Sequence, residues 1–255
     1  MKHFNHKIYG SGEPVIILHG LLGMLDNWHS FAKNLSDNYK VISLDQRNHG
    51  KSFHSDSFDY ELLADDLNDF LLEMNLEKCK LIGHSMGGKT VMQFLNKYPE
   101  KAEKSVVVDI SPKSFGGGHE EIFKALLSLD LTILENRKAA QEHMVSHLGN
   151  NMGVVFFLLK NLGRTDKGFE WKANIKSLWD NYANITAAIN FKAPISNDVL
   201  FIKGEKSNYI KAEDEQDIKK LFSSVVIKSI ADAGHWVHAD APQMLLDEIR
   251  NFFTD

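Results

Sequence analysis

The first half of the chain alternates between short apolar runs and longer stretches with apolar residues at helical spacing. From Leu63 to Met74 the apolar residues recur at i, i+4, i+7 and i+8, which predicts a helix with one buried face. Strands that alternate with helices in this way predict a parallel sheet covered by helices on both faces. The strands predicted here lie around Ile8 and at residues 15–18, 40–44, 80–82 and 105–109.

The pattern changes between Ser111 and about Phe191. Strand-like runs disappear, a glycine triplet appears at residues 116–118, and apolar residues recur at helical spacing. Apolar runs at 199–202 and 225–227 then resume the strand pattern. We therefore predict an α/β core formed by residues 1–112 and 193–255, with residues 113–192 inserted as a helical cap. The helices predicted in the cap are 121–129, 137–147, 154–162 and 175–182.

Segment 81–90 is an apolar strand that breaks into glycines around one serine and resumes as a helix. Gly83 and Gly87 flank Ser85 in the G-x-S-x-G pattern of a nucleophile elbow, a strained turn that exposes the serine hydroxyl. A serine with a histidine base suits attack on an acyl carbon. The segment therefore predicts Ser85 as the nucleophile of an acyl-transfer enzyme.

The same segment also matches the phosphate-binding P-loop, G-x-x-x-x-G-K-[ST]. Gly83 is followed by four residues and then by Gly88-Lys89-Thr90, and a P-loop likewise needs a strand before it and a helix after it. Asp109, after a nearby strand, would then bind the magnesium ion of a nucleotide hydrolase. Local sequence leaves both interpretations open.

Two loops far from Ser85 along the chain favour the serine hydrolase over the nucleotide hydrolase. His19-Gly20 follows an early strand, where a loop supplies one of the two N–H donors of an oxyanion hole; the donors would be Leu21 and Met86. His235 follows the last predicted strand, where its imidazole can reach the sheet edge and act as general base. A nucleotide hydrolase needs neither loop, so the order along the chain favours a serine hydrolase.

Three segments resemble a known family: Gly-His-Ser-Met-Gly-Gly-Lys at 83–89, Asp-Gln-Arg-Asn-His-Gly at 45–50 and Gly-His-Trp-Val-His-Ala at 234–239. Together they are similar to the YbfF-type esterases of the α/β-hydrolase superfamily, over nearly the whole chain. The resemblance implies an α/β-hydrolase fold whose cap follows the family's sixth strand. It also implies a small cytoplasmic carboxylesterase for short to medium acyl esters, with acyl-CoA thioesters as a second substrate class.

The acid of the catalytic triad departs from the superfamily's usual pattern. The acid usually follows the seventh strand in a Gly-x-x-Asp turn, whereas residues 204–207 of this chain are Gly-Glu-Lys-Ser. Asp109, after the family's sixth strand, is a known alternative location and is the acid that we predict. Glu205, Asp198 and Asp180 stay open as alternatives.

The substrate is expected to contact the loops around Ser85 and the apolar face of the cap. His119 follows the glycine triplet at the entrance to the cap, and Phe156 and Trp179 are aromatic residues of predicted cap helices. A non-catalytic protein of the same fold, which keeps the pocket but binds a ligand without turnover, is the alternative class. The candidate substrate-binding residues are His19, Gly20, Trp236, His119, Phe156 and Trp179.

Composition narrows the class of protein further. The chain has 255 residues and a net charge of −5, and its basic residues are scattered, so no nucleic acid or membrane partner is expected. The single cysteine, Cys79, cannot form an internal disulfide or a thiolate metal site, and we expect neither metal nor cofactor. With no apolar signal-like segment or membrane span, we expect a cytoplasmic monomer or homodimer that acts on a small acyl ester or thioester.

Overall fold

A seven-stranded sheet forms the centre of the molecule in the computed structural model, which describes residues 2–254. A two-stranded hairpin lies apart from this sheet. The strands are β1 (His6–Tyr9), β2 (Pro14–Leu18), β3 (Lys40–Leu44), β4 (Cys79–His84), β5 (Ala102–Val108), β6 (Leu162–Thr165), β7 (Gly168–Trp171), β8 (Ile195–Gly204) and β9 (Phe222–Ile230). The sheet order is β1-β3-β2-β4-β5-β8-β9, with β1 antiparallel to β3 and all other neighbours parallel. Each strand predicted from the sequence lies within or overlaps one strand of this sheet.

Helices cover both faces of the sheet. Short 3-10 turns at Leu25–Trp28 and Pro99–Lys101 accompany them. Within residues 2–254, no helix is both long enough and apolar enough to cross a membrane. The helices are α1 (His29–Leu35), α2 (Tyr60–Glu73), α3 (Met86–Lys97), α4 (Glu120–Ser128), α5 (Arg137–Leu148), α6 (Met152–Leu159), α7 (Ile175–Asp180), α8 (Tyr182–Thr186), α9 (Ala212–Leu221), α10 (Val237–Asp240) and α11 (Pro242–Thr254).

Strand β2 shows how the two hydrophobic cores divide. Successive side chains of a strand point to opposite faces of the sheet. Ile16 and Leu18 therefore join the core that includes apolar residues of α2, α3 and the α4–α8 segment, whereas Val15 and Ile17 join the core under α1 and α11. Burial on both faces explains why the central strands have continuous apolar sequences.

The parallel register brings the carboxyl ends of the central strands to one edge. Leu18 of β2 pairs with Gly83 of β4, and His84 of β4 pairs with Val108 of β5. The loops that follow these strands therefore start side by side. Ligands of open α/β sheets bind outside this edge, so the fold itself indicates where the site lies.

The segment between β5 and β8 contains five helices and also a hairpin that the all-helical prediction missed. Helix α6 ends at Leu159, and Leu162 pairs with Trp171 across the hairpin instead of extending the predicted helix 154–162. Gly168 enters the second strand with φ of 124°, a conformation that favours glycine. Apolar spacing alone did not separate the end of α6 from the start of β6.

Two further details of this segment differ from the sequence prediction. The predicted helix 175–182 is two helices, since α7 ends at Asp180 and α8 begins at Tyr182. The segment follows the fifth strand of this chain, because residues 2–254 contain only β1 to β5 before it, whereas the prediction used the family's numbering and placed it after a sixth.

The two ends of this inserted segment lie side by side. The Phe115 N–H donates to the Thr186 carbonyl oxygen at 3.1 Å, and the Ile189 N–H donates to the Pro112 carbonyl oxygen at 2.8 Å. Entry and exit are thus joined by backbone hydrogen bonds at the edge where β5 and β8 pair.

Candidate active site

Ser85 occupies a sharp turn between β4 and α3. The strand ends at His84 and the helix begins at Met86, so Ser85 alone connects them, with φ of 52°. A Cβ on Gly83 would lie 2.2 Å from the Gly87 carbonyl oxygen, so the turn needs glycine there. Because no loop separates strand from helix, the backbone cannot surround a phosphate group. The geometry is that of a nucleophile elbow.

The lysine and threonine of the alternative P-loop motif are engaged elsewhere. Lys89 is fully buried, and its ammonium donates to the carbonyl oxygens of Lys113, at 2.8 Å, and Ala187. Burial lowers the pKa of Lys89 to about 7. The Thr90 hydroxyl donates to the Gln46 side-chain oxygen at 2.8 Å. Both residues therefore support the helix and the insertion rather than a phosphate site.

The imidazole of His235 bridges Ser85 and Asp109. Its Nε2 lies 3.0 Å from Ser85 Oγ, and its Nδ1 lies 2.7 Å from an Asp109 carboxylate oxygen. A carboxylate only accepts hydrogen bonds, so Nδ1 carries the proton and Nε2 is free to accept the proton of the serine hydroxyl. The Tyr209 ring stacks on the imidazole, with 4.0 Å between ring centroids. This arrangement can perform nucleophilic catalysis on an acyl carbon.

Asp109 is fully buried directly after β5, and its carboxylate is held on three sides. Besides His235, the Gly204 N–H donates to it at 2.9 Å, and the Ser207 hydroxyl donates to the oxygen that faces His235. Its own N–H donates to the Ile202 carbonyl oxygen at 2.7 Å. Ser207, at the position where the resemblance places the usual acid, thus donates a hydrogen bond to Asp109, which follows β5.

The three alternative acids are bonded away from His235. Glu205 accepts from the Asp232 N–H, Asp198 accepts from the Ser224 hydroxyl, and Asp180 pairs with Lys176 one turn away on α7. Among the described hydrogen bonds, none joins these carboxylates to the imidazole.

The loop after β2 brings backbone amides close to Ser85. A Cβ on Gly20 would lie 3.3 Å from the Ser85 Cβ, so the loop backbone approaches the serine closely. Over residues 2–254, the Leu21 N–H donates no hydrogen bond, and the Met86 N–H, first in α3, has no acceptor within its helix. The loop after β2 and the start of α3 thus each leave one backbone donor unpaired near Ser85, which is what an oxyanion hole needs.

Two buried histidines hold this loop in place. The His19 Nδ1–H donates to the Gly20 carbonyl oxygen at 2.8 Å, and its Nε2 accepts from the Gln46 N–H at 3.1 Å. The His49 Nε2 accepts from the Leu22 N–H at 3.1 Å. Burial lowers the pKa of His19 to about 4 and that of His49 to about 3, so both rings are neutral. His19 lines the cavity, but its nitrogens support the loop and are not available to a substrate.

A cavity of about 190 Å³ opens in front of Ser85. Of the predicted substrate-binding residues, His19, Gly20, Trp236 and His119 line it. The Nδ1 of His119 also shares a hydrogen bond with the Tyr182 hydroxyl, and the two atoms are 2.8 Å apart. The lining is completed by Leu21, Leu22, Gly23, Asn27, Trp28, His84, Gly118, Ile122, Val154, Phe157, Leu158, His235 and His238.

Two predicted pocket residues lie outside this cavity. Phe156 is 53% exposed and faces a neighbouring cavity, while Phe157 and Leu158 line the one at Ser85. Trp179 packs on Phe123, with ring centroids 5.4 Å apart, and is absent from the lining. The direction of a residue on a cap helix depends on tertiary packing, which apolar spacing does not reveal.

The neighbouring cavity has a volume of about 520 Å³ and was not foreseen from the sequence. It lies between α1, α6 and the α10–α11 region. Four residues line both cavities: Asn27, Phe157, Trp236 and His238.

Comparison with known proteins identifies the family. The alpha/beta hydrolase fold model matches residues 13–242. The chain is 35% identical to esterase YbfF of Escherichia coli over 246 residues, covering 96% of this chain and 94% of that protein. It is also 35% identical to sn-1-specific diacylglycerol lipase ABHD11 of Mus musculus over 248 residues, covering 94% of this chain and 80% of that protein.

A solved structure gives the same result. The structure titled marine microorganism esterase matches with a TM-score of 0.94 at 40% sequence identity, covering 98% of each chain. Identity at this level over the full length relates the chains as well as their folds. The chain therefore belongs to the α/β-hydrolase family, within which it is a YbfF-type esterase.

Proposed function

We propose that this esterase cleaves carboxylic esters through a triad of Ser85, His235 and Asp109 and a covalent acyl-enzyme. The observation that supports this most directly is the hydrogen-bonded chain from the Ser85 hydroxyl through both nitrogens of His235 to the Asp109 carboxylate. It lies at a strained elbow beside unpaired backbone amides, as acyl transfer requires.

In the first step, His235 Nε2 takes the proton of Ser85 as Oγ attacks the acyl carbon. The carbonyl oxygen becomes an oxyanion that the Leu21 and Met86 amides stabilise. When the tetrahedral intermediate collapses, the bond to the leaving oxygen breaks and His235 gives that oxygen its proton. Asp109 keeps the imidazole in the correct tautomer and stabilises its protonated form without taking the proton.

In the second step, water replaces the alcohol. His235 takes a proton from water as the water oxygen attacks the acyl carbon, and the proton then returns to Ser85 Oγ as the acyl bond breaks. The products are a carboxylic acid and the regenerated serine.

The cavity at Ser85 supports a short to medium acyl chain as substrate. Its volume of about 190 Å³ is below the ~300–1,000 Å³ typical of sites for drug-sized ligands, and its walls include Ile122, Val154 and Leu158. A thioester undergoes the same attack with sulfur as the leaving atom, so the proposal includes acyl-CoA thioesters. We also propose that residues 113–192 act as a cap that sets the acyl pocket.

The decisive test is the rate of ester hydrolysis by Ser85→Ala. Loss of a triad nucleophile should lower kcat for a p-nitrophenyl butyrate by a factor of about 10⁶ and abolish labelling by an organophosphonate. Ser128→Ala, which removes an exposed hydroxyl on α4, is the matched control and should keep full activity. A fall of less than about tenfold in Ser85→Ala would contradict the proposal, and absence of turnover and labelling in the parent chain would indicate a non-catalytic binding protein.

A further inference from the structure

The second cavity shares four lining residues with the cavity at Ser85. Phe157 and Trp236, whose ring centroids are 5.3 Å apart, line both, as do Asn27 and His238. At about 520 Å³ the second cavity is the larger of the two. Together they fall within the ~300–1,000 Å³ of ordinary small-molecule sites, which the first alone does not reach.

The second cavity is lined in part by the segment that follows His235. Its lining includes Trp236, His238 and Ala239, which directly follow His235 along the chain. The group that receives the proton from His235 is the leaving oxygen or sulfur, so the leaving portion of an ester must lie beside that imidazole. Ile122, Val154 and Leu158 line the first cavity only, and so they offer the acyl chain a separate wall.

The junction between the cavities holds a polar group without a partner. The Nδ1 of His238 is buried and has no hydrogen-bond partner within the described residues. Its ring stacks on Trp28, with 4.4 Å between centroids, so it is held in a fixed orientation. The His238 ring is thus a fixed part of the wall that the two cavities share.

The remaining walls of the second cavity are largely apolar. Phe31, Phe156 and Leu246 lie among them, and Phe156 is 53% exposed. Lys160 is the one charged residue of the lining. An apolar or aromatic body therefore fits this cavity better than a cationic group.

We infer that the second cavity is a leaving-group subsite, which binds the alcohol or thiol portion of the ester. This inference rests on the proposed function, because it assumes that Ser85 and His235 cleave the ester. Substrates with a bulky, uncharged alcohol portion would then bind across the Phe157–Trp236 boundary, with the acyl chain in the smaller cavity.

The inference is tested by filling the second cavity and comparing three substrates. Gly153 lines only this cavity, and a Cβ there would have its nearest neighbours at 3.7 and 3.8 Å, which is ordinary contact. Gly153→Leu should fill the cavity, and Gly153→Ala is the matched control. Gln243→Trp fills it from the opposite wall and serves if the leucine variant does not fold.

Hydrolysis of methyl butyrate, hexyl butyrate and methyl octanoate by the full chain separates the two sides of the ester. The filled variants should lose about tenfold or more of kcat/KM for hexyl butyrate and keep that for the two methyl esters within about twofold. A selective loss for methyl octanoate would assign the cavity to the acyl chain instead, and equal changes for all three would also overturn the inference. If Ser85→Ala keeps its activity, the proposed function fails; if it is inactive while the filled variants show no selectivity, only the subsite fails.

Discussion

Asp109 combines a strained backbone with a fully paired carboxylate. Its φ of 53° is unusual for a residue with a side chain and costs on the order of 1–3 kcal/mol. Hydrogen bonds from Gly204 and Ser207 surround the carboxylate, and the backbone N–H is bound to Ile202. The surrounding contacts thus hold the carboxylate in one position, where it accepts a hydrogen bond from His235.

Replacing Asp109 by asparagine should lower kcat for a short ester by a factor of about 10⁴, because an amide can donate to Nδ1 and stabilise the wrong imidazole tautomer. Steady-state kinetics of the purified variant measure this. Glu205→Gln is the control, since Glu205 binds the Asp232 N–H and not the imidazole. A large loss in Glu205→Gln with little change in Asp109→Asn would show that the acid has been assigned wrongly.

His19 and His49, which hold the loop after β2 in place, should make the stability of the protein depend on pH. Their pKa values are lowered by burial from 6.5 to about 4 and about 3. Between pH 6.5 and about 4 the unfolded chain therefore binds more protons than the folded chain. The free energy of unfolding should fall as pH falls through this range, by up to about 1.4 kcal/mol per pH unit for each histidine.

Urea unfolding at several pH values between 6.5 and about 4 measures this slope. His49→Gln removes one of the two groups and should reduce the slope by up to about 1.4 kcal/mol per pH unit. A slope identical to that of the parent chain would show that His49 does not contribute. From the sequence, His19 was predicted only as a substrate contact, because a hydrogen bond to a backbone amide leaves no sequence pattern.

Helix α3 connects Ser85 with the inserted segment. Ser85 precedes its first turn, and Lys89 follows one turn later with its ammonium on the carbonyl oxygens of Lys113 and Ala187. Those carbonyls belong to the entry and the exit of the segment. The Lys89 side chain of α3 thus binds both ends of the insertion.

Lys89→Met should destabilise the protein by about 1–3 kcal/mol, because it leaves buried carbonyl oxygens without donors while keeping the length of the side chain. Thermal unfolding and limited proteolysis near Lys113 and Ala187 measure the effect. Lys97→Met, on the same helix, removes a partly exposed ion pair with Asp65 and should cost less than about 1 kcal/mol. Equal stability of the two variants would contradict the role assigned to Lys89.

Strands β2, β3, β4, β5 and β8 could be predicted because each contains a short, buried apolar run. Hairpin β6–β7 could not, since Leu162 continues the apolar spacing of α6 and only the turn before Gly168 signals a strand pair. The split between α7 and α8 falls at Asn181, whose side-chain amide donates to the Asp56 carbonyl oxygen at 2.8 Å, and local spacing does not reveal such a distant contact.

At the scale of the whole molecule, chain order predicted the location of the site better than any single motif. Parallel pairing necessarily brings the ends of β2, β4 and β5 to one edge, so loops far apart in sequence meet there. Ser85 and His235 could be named from that order. Phe156 and Trp179 could not be placed, because the direction of a helix face depends on its neighbours.

The two ends of the insertion are adjacent, which affects how the inserted segment can be replaced during evolution. Strands β5 and β8 pair directly, Val106 with Leu200, and the chain leaves and re-enters at Pro112 and Ile189, which are hydrogen-bonded to each other. An insertion of another length, or one taken from a relative, can be joined at this point without shifting the register of the sheet. Mutation and recombination can thus change the inserted segment while the sheet that carries Ser85 and Asp109 keeps its strand pairing.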